Sequence, residues 1–246
     1  MGQDIDSNIL IHPRKGKNEK ALPSTGVLLV NPSEAAQCHL QLQKKGGESL
    51  NLFNSQLTVS NDKSFFVTGP AIGAPMAVMS FEKLIALGAK RIILFGWCGA
   101  ISSTLKVGDI LLPNMAQSGE GTSCYYPLAI PAAPSVKFRE QIEQVFNENN
   151  MLVHSGCVWS TDAIYREDRR MLQHLNIKNK VVAVDMEFSA LCSVACFRKI
   201  EFAAVLIVSD ELWGKSWRPG FSSEIFQKTK AKALDIVLTG MDILGE

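Results

Sequence analysis

Apolar and polar positions fall along the chain in two kinds of block. Short continuous apolar runs bounded by Asn, Pro, Gly or Asp read as buried strands, and stretches with apolar residues three and four apart read as amphipathic helices. Strand-like runs occupy residues 26–30, 57–59, 65–68, 91–95, 109–112, 151–160, 181–184 and 203–209. Helix-like stretches occupy residues 33–42, 75–87, 135–149, 187–198 and a last segment ending near Gly240. Caps agree with this division: Ser33, Ser135 and Ser222 or Ser223 stand where helices begin, while Pro75 opens one and Gly88 closes it. The stripe Phe138, Ile142, Val145 and Phe146 marks the buried side of the third helix.

Alternation of strands and helices over most of the chain predicts a largely parallel or mixed sheet with helices on both faces. The expected fold is therefore α/β: a single domain over residues 1–246, a three-layer α/β/α sandwich around a central mixed sheet. A polar N-terminal arm, residues 1–24, leads into it. At 246 residues the chain is long enough to bury a sizeable core.

Charge and composition narrow the partners. Lys plus Arg number 25 and Asp plus Glu 24, a net charge of +1, which gives no electrostatic reason to expect nucleic acid or an anionic membrane. The longest wholly apolar run, Phe202 to Val208, is seven residues, far short of the roughly 20 a membrane span needs. Residues 1–6 carry no basic-then-apolar leader pattern, so the expected compartment is the reducing cytoplasm. The six cysteines, Cys38, Cys98, Cys124, Cys157, Cys192 and Cys196, show no zinc spacing, and no metal or cofactor is expected. Cys192 and Cys196 share one helix face and read as two small core residues.

In a sheet of this kind ligands gather beyond the C-terminal ends of strands. The polar residues there are 31–34, 69–73, 96–99, 185–187 and 209–210. Asp210 ends a strongly apolar strand, where desolvation favours a neutral, proton-donating carboxyl; a helix cap is the ordinary role for such an Asp. Glu187 stands at a strand-to-helix junction, suited to the helix dipole or to a ligand diol. Gly96 and Gly99 flank Trp97 and Cys98; two glycines let backbone approach a ligand, and an ordinary tight turn explains them equally well.

Taken together and in order, these segments resemble the nucleoside phosphorylase superfamily, in its uridine phosphorylase and hexameric purine nucleoside phosphorylase branch. The segments that carry the resemblance are Gly69-Pro-Ala-Ile-Gly-Ala-Pro75, Gly96-Trp-Cys-Gly-Ala100 with Val107-Gly-Asp-Ile-Leu-Leu-Pro113, Ser160-Thr-Asp-Ala-Ile-Tyr165, Val184-Asp-Met-Glu187 and Val208-Ser-Asp210. The resemblance implies an enzyme that breaks the N-glycosidic bond of a small-molecule nucleoside. Asp210 would protonate a purine base, Glu187 would hold the ribose hydroxyls and Met186 would pack on the sugar. Gly69 and Gly96 would line the site, and Ile164 would take the place of an aromatic stacker. Arg170 falls where uridine enzymes read the pyrimidine carbonyl, with Asp168 in place of their glutamine. His12 matches a histidine that reaches a neighbouring subunit's site, implying a homo-oligomer, either a dimer or a trimer of dimers.

The departures concern phosphate. The phosphorylases bind it with residues whose positions here are Val30, Glu34, Leu94 and Trp97, none of which is a cation. Losing bidentate arginines together is hard to offset. Related nucleosidases carry a glutamate at the position of Glu34, which activates the attacking water. Hydrolysis with Glu34 as general base, phosphorolysis at an unusual phosphate site and nucleoside binding without turnover are the three readings this leaves.

Overall fold

A computed structural model describes residues 9–53 and 55–245; the first eight residues of the expected arm lie outside the described residues. In chain order the elements are β1 (Thr25–Leu29), α1 (Pro32–Lys44), β2 (Glu48–Leu52), β3 (Ser55–Val59), β4 (Phe65–Gly69), α2 (Ala74–Ala86), β5 (Arg91–Ala100) and β6 (Ile110–Gly119). There follow α3 (Val136–Glu148), β7 (Val153–Thr161), α4 (Arg169–Asn179), β8 (Val181–Asp185), α5 (Phe188–Arg198), β9 (Glu201–Glu211), β10 (Arg218–Pro219), α6 (Glu224–Thr239) and α7 (Met241–Leu244).

The strands form one mixed sheet in the order β10-β9-β6-β7-β8-β5-β1-β4-β3-β2, and β9 pairs with β5 as well. That extra pairing closes β5, β9, β6, β7 and β8 into a ring, while β1 to β4 continue outward as an open sheet. The pairings of β1 with β4 and β5, and of β5 with β9, are parallel; β5 with β8 and β6 with β9 are antiparallel.

One face of the sheet packs on α2 and α5 through Phe81, Phe188 and Phe202, with Phe81 edge-on to Phe202 at 5.5 Å and Phe188 stacked on it at 6.0 Å. The other face packs on α1, α3 and α6 through Phe95, Phe138, Phe146 and Phe226. Each such aromatic, fully buried, stabilises the fold by about 1.5–3 kcal/mol. A smaller cluster under α4 joins Leu172 and Leu175 to Val181 and Val184.

Four expectations are corrected. The segment 96–99 is not a turn: β5 runs through it, with β9 paired along one edge and β8 meeting the other at Gly99 and Ala100. Small residues there are demanded by the crowding of the closed ring. β6 likewise runs on past residue 112 to Gly119, beside β7. Cys192 is buried as expected, but Cys196 is exposed on the rim of α5. The N-terminal arm is not uniformly polar, since Ile9, Leu10 and Ile11 are exposed and Leu22 is buried, its N–H donating to the Leu87 carbonyl at 2.9 Å. Among the described residues no helix is long and apolar enough to cross a membrane.

Candidate active site

Gly99 is the centre of the site. It pairs with Val184 at the end of β8 and with Asp210 at the end of β9. A Cβ at this position would lie 2.7 Å from Leu212 Cδ1 and 3.3 Å from both Asp210 Oδ2 and Val184 Cγ1. The missing side chain therefore lets the two acidic strand ends converge. Beneath them the Cys98 thiol, pushed well up by burial, is pushed further by the charges of Asp185 and Asp210.

From Val184 the chain runs through Asp185 and Met186 to Glu187. Asp185 Oδ1 accepts from Ser160 Oγ at 2.5 Å, and Oδ2 accepts the N–H groups of Phe188 at 2.7 Å and Glu187 at 3.2 Å. Asp185 thus satisfies the free N–H groups at the start of α5. That releases Glu187, whose carboxylate makes no cap and instead accepts the backbone N–H of Gly73 at 2.5 Å. Gly73 is bent into position by its φ of +82° at the start of α2. Both carboxyls are buried. Burial pushes the Glu187 carboxyl up, and the neighbouring Asp185 charge pushes it further; burial raises Asp185 as well.

Asp210 is 9% exposed. Its Oδ1 accepts from Ser209 Oγ at 2.6 Å and its Oδ2 from the Trp217 indole N–H at 2.7 Å. Glu167, half-buried between the short turn Ile164–Arg166 and α4, stands near enough that burial and the Asp210 charge together raise its carboxyl to about 7.

A second cluster approaches the strand ends from the other face. Glu34, on the first turn of α1, is 3% exposed, and its Oε1 lies 2.6 Å from Lys230 Nζ of α6. Ser33 Oγ donates to Oε2 at 3.0 Å. The Lys230 ammonium sits 5.1 Å from the Trp97 ring centre and 5.4 Å from that of Phe226. Trp97 packs edge-on to Phe226 at 5.2 Å and against Phe221 at 6.0 Å, and Phe221 meets Trp217 at 6.1 Å. Three aromatic rings therefore connect the Glu34–Lys230 pair to Asp210. Asn31 Oδ1 and Trp97 Nε1 are buried without a partner among the described residues. Asn31 occupies the N-cap position of α1 without capping it.

The sequence-predicted residues thus separate into groups. Glu187 and Asp210 come together around Gly99, with Met186 half-buried between Asp185 and Glu187; Glu34 and Trp97 come together beside Lys230. Gly69 serves the backbone: a Cβ there would lie 2.4 Å from the Leu29 carbonyl oxygen, and its own carbonyl accepts from His39 Nε2 at 3.2 Å. The site glycine of that turn is Gly73. Gly96 makes room for Val30, whose Cγ2 would lie 3.1 Å from an added Cβ. Ile164 is 45% exposed on its turn. Arg170 is exposed at the start of α4, where its N–H donates to Asp168 Oδ1 at 2.9 Å, so Asp168 is a helix cap. His12 lines a groove of about 640 Å³ on the α2 side with Val78, Met79 and Phe197, and the arm there is tied down by Lys83 Nζ on the Arg14 carbonyl at 2.6 Å. Among the described residues no contact joins His12 or Arg170 to Glu187 or Asp210.

Four contributors escape the sequence reading: Lys230, Trp217, Glu167 and the capping role of Asp185. Lys230 alone left a signal. It lies four residues after Phe226, three before Ala233 and four before Leu234, on the buried stripe of α6.

Residues 28–239 match the description of the phosphorylase superfamily. The chain belongs to that superfamily. A DeoD-type purine nucleoside phosphorylase of Brevibacillus brevis is 30% identical to this phosphorylase-superfamily chain over 180 residues, 72% of the chain and 76% of the relative. A guanosine phosphorylase of Halorubrum lacusprofundi is 27% identical over 147 residues, 59% of the chain and 61% of the relative. The fold is shared with a purine nucleoside phosphorylase of Toxoplasma gondii in complex with immucillin-H, at a TM-score of 0.78 and 21% identity over 91% of this chain and 92% of that one. It is shared also with an AMP nucleosidase of Bacteroides thetaiotaomicron, at a TM-score of 0.69 and 22% identity over 90% and 91% of the two chains.

Proposed function

We propose that this protein cleaves the N-glycosidic bond of a purine nucleoside by hydrolysis. The observation that carries this reading is the Glu34–Lys230 ion pair, with Glu34 at the position where the resemblance to phosphorylases would put a phosphate-binding arginine. Val30 and Leu94 are buried and apolar, and the Lys230 ammonium already has its counter-charge at 2.6 Å. A phosphate dianion would have to break that pair and face the Glu34 carboxylate. A water molecule is neutral and small, and the same carboxylate can take its proton.

In this mechanism Glu187 hydrogen-bonds the ribose diol. The bond from C1′ to the base breaks as the water oxygen bonds to C1′. Asp210 delivers a proton to the leaving base, and Glu34 receives one from the water. The Trp217 indole and the base nitrogen would meet at the same oxygen, Oδ2.

A second reading is favoured by the same ammonium. Lys230 is a buried cation, and its transfer from Glu34 to an anion would assemble a phosphate site. A panel of nucleosides incubated with and without phosphate separates the readings. Free ribose without phosphate supports hydrolysis; ribose 1-phosphate formed only with phosphate overturns it; binding without product identifies a nucleoside-binding protein.

We also propose a homo-oligomer. Exposed Ile9, Leu10 and Ile11 adjoin His12, and Phe53, Met79 and Tyr125 line the same groove. This apolar edge fits a neighbouring copy across a symmetric contact. Sedimentation at micromolar protein should give a dimer or a larger species, and a monomer would remove the shared-site role of His12.

A further inference from the structure

We propose that Lys230 is a positioning residue that holds the Glu34 carboxylate charged and aimed at the strand ends, so that α6 controls the base which activates water. The inference rests on the hydrolytic reading and adds to it a residue from a distant part of the chain.

The geometry points to charge, not packing, as the reason for this lysine. Lysine is rarely buried unless it is paired, and Lys230 is only 12% exposed. Its neighbour on the same helix, Lys228, pairs with Glu224 in open solvent, with side chains 75% and 79% exposed. Lys230 instead turns into the apolar stripe of α6, where an alanine or leucine would pack without any cost of desolvation. The ammonium lies against two aromatic faces, which suit a cation, and delivers its charge to Oε1 while Ser33 holds Oε2. Both carboxylate oxygens are thus fixed in direction.

Among the described residues Glu34 is met by Lys230 from α6 and by Ser33 of its own helix, and the uncharged Trp97 ring of β5 lies under the ammonium. Cys38 lies one turn further along α1, where burial and the Glu34 charge push its thiol up to about 12, so it stays neutral. Removing the ammonium would leave a buried carboxylate with no counter-charge, a condition that favours its protonated, base-inactive form.

The experiment uses full-length Lys230→Met, Lys230→Arg, Glu34→Gln and the double variant Glu34→Gln/Lys230→Met. Rates on a cleaved nucleoside are followed across pH, with and without phosphate. Lys230→Met should lower kcat at neutral pH at least ten-fold with KM changed less than three-fold. The acid limb of its kcat profile should move up by a pH unit or more, with Lys230→Arg keeping the limb of the parent. In the Glu34→Gln background, Lys230→Met should cost no further rate. If Lys230→Met fails to fold, the double variant decides, because it leaves no charge unpaired: a rate equal to Glu34→Gln supports the role, and a slower one overturns it. Phosphate-independent turnover with an unmoved acid limb overturns the positioning role alone. Turnover that requires phosphate, with Lys230→Met raising the KM for phosphate, overturns the hydrolytic reading and this role together.

Discussion

The Trp217 indole N–H donates to Oδ2 of Asp210 at 2.7 Å, so the segment between β9 and α6 holds the carboxylate at the end of β9. A base that takes a proton from Oδ2 meets that indole at the same oxygen. Binding of a purine nucleoside or a base analogue should therefore change the tryptophan emission of the protein, and Trp217→Phe should abolish the change. Identical responses in the two proteins would mean that Trp217 stays in place.

In the proposed mechanism Glu34 and Asp210 divide the two proton transfers. Glu34→Gln should reduce kcat by roughly 10²-fold or more with little change in affinity, because a general base contributes about 10²–10⁴-fold. Asp210→Asn should slow the reaction to a similar extent by removing the donor to the leaving base. Steady-state kinetics without phosphate reads both, and an unaffected rate for either variant removes that residue from its role.

Glu187 faces the sugar in the proposed complex, held by the Gly73 N–H. Above a pH of about 8, where the raised Glu187 carboxyl is ionised, Glu187→Gln should weaken nucleoside binding by about 1–3 kcal/mol, the range for losing a charge-assisted bond. Deoxyribose analogues, which lack one hydroxyl partner, should show a smaller difference. Calorimetry that finds equal affinities in variant and parent would exclude the contact.

Glu167 gives a pH signature. Its carboxyl is raised from 4.5 to about 7, by burial first and by the Asp210 charge second. A raised carboxyl keeps its proton longer in the folded chain than in the unfolded one, so stability falls as pH climbs through that window. Below the unfolded value both states hold the proton and no penalty exists; above about 7 it is complete. Glu167→Gln should accordingly gain melting temperature relative to the parent between pH 4.5 and 7, with the difference constant beyond. A difference that is flat across this window would show that the Glu167 carboxyl is not raised in the folded chain.

Strand and helix cores were legible because burial on both sides writes apolar runs such as Phe202 to Val208, which became β9. What escaped has physical reasons. β2 is an outer strand on which Leu52 alone is buried, so its residues alternate too weakly to register. α4 buries only Leu172 and Leu175, which makes no stripe. The second half of β5 carries Gly96 and Gly99 on either side of Trp97 and Cys98, a pattern that reads as a turn until neighbouring strands on both edges are known. Of the site, Asp210, Glu187 and Glu34 were found through strand ends and resemblance. Lys230 was hidden because Lys228, Lys230 and Lys232 look alike until the helix phase assigns one of them inward. Trp217 left no trace, since nothing local announces a bond from a loop to Asp210.

Glu34 and Lys230 are separated by 196 positions in the chain and by 2.6 Å in space. A ribosome adding roughly 5–20 residues per second makes the glutamate some ten to forty seconds before the ammonium that neutralises it. A nascent chain that already carries every strand of the closed ring still lacks the counter-charge of Glu34. The order of synthesis therefore leaves this ion pair to form only when α6 arrives.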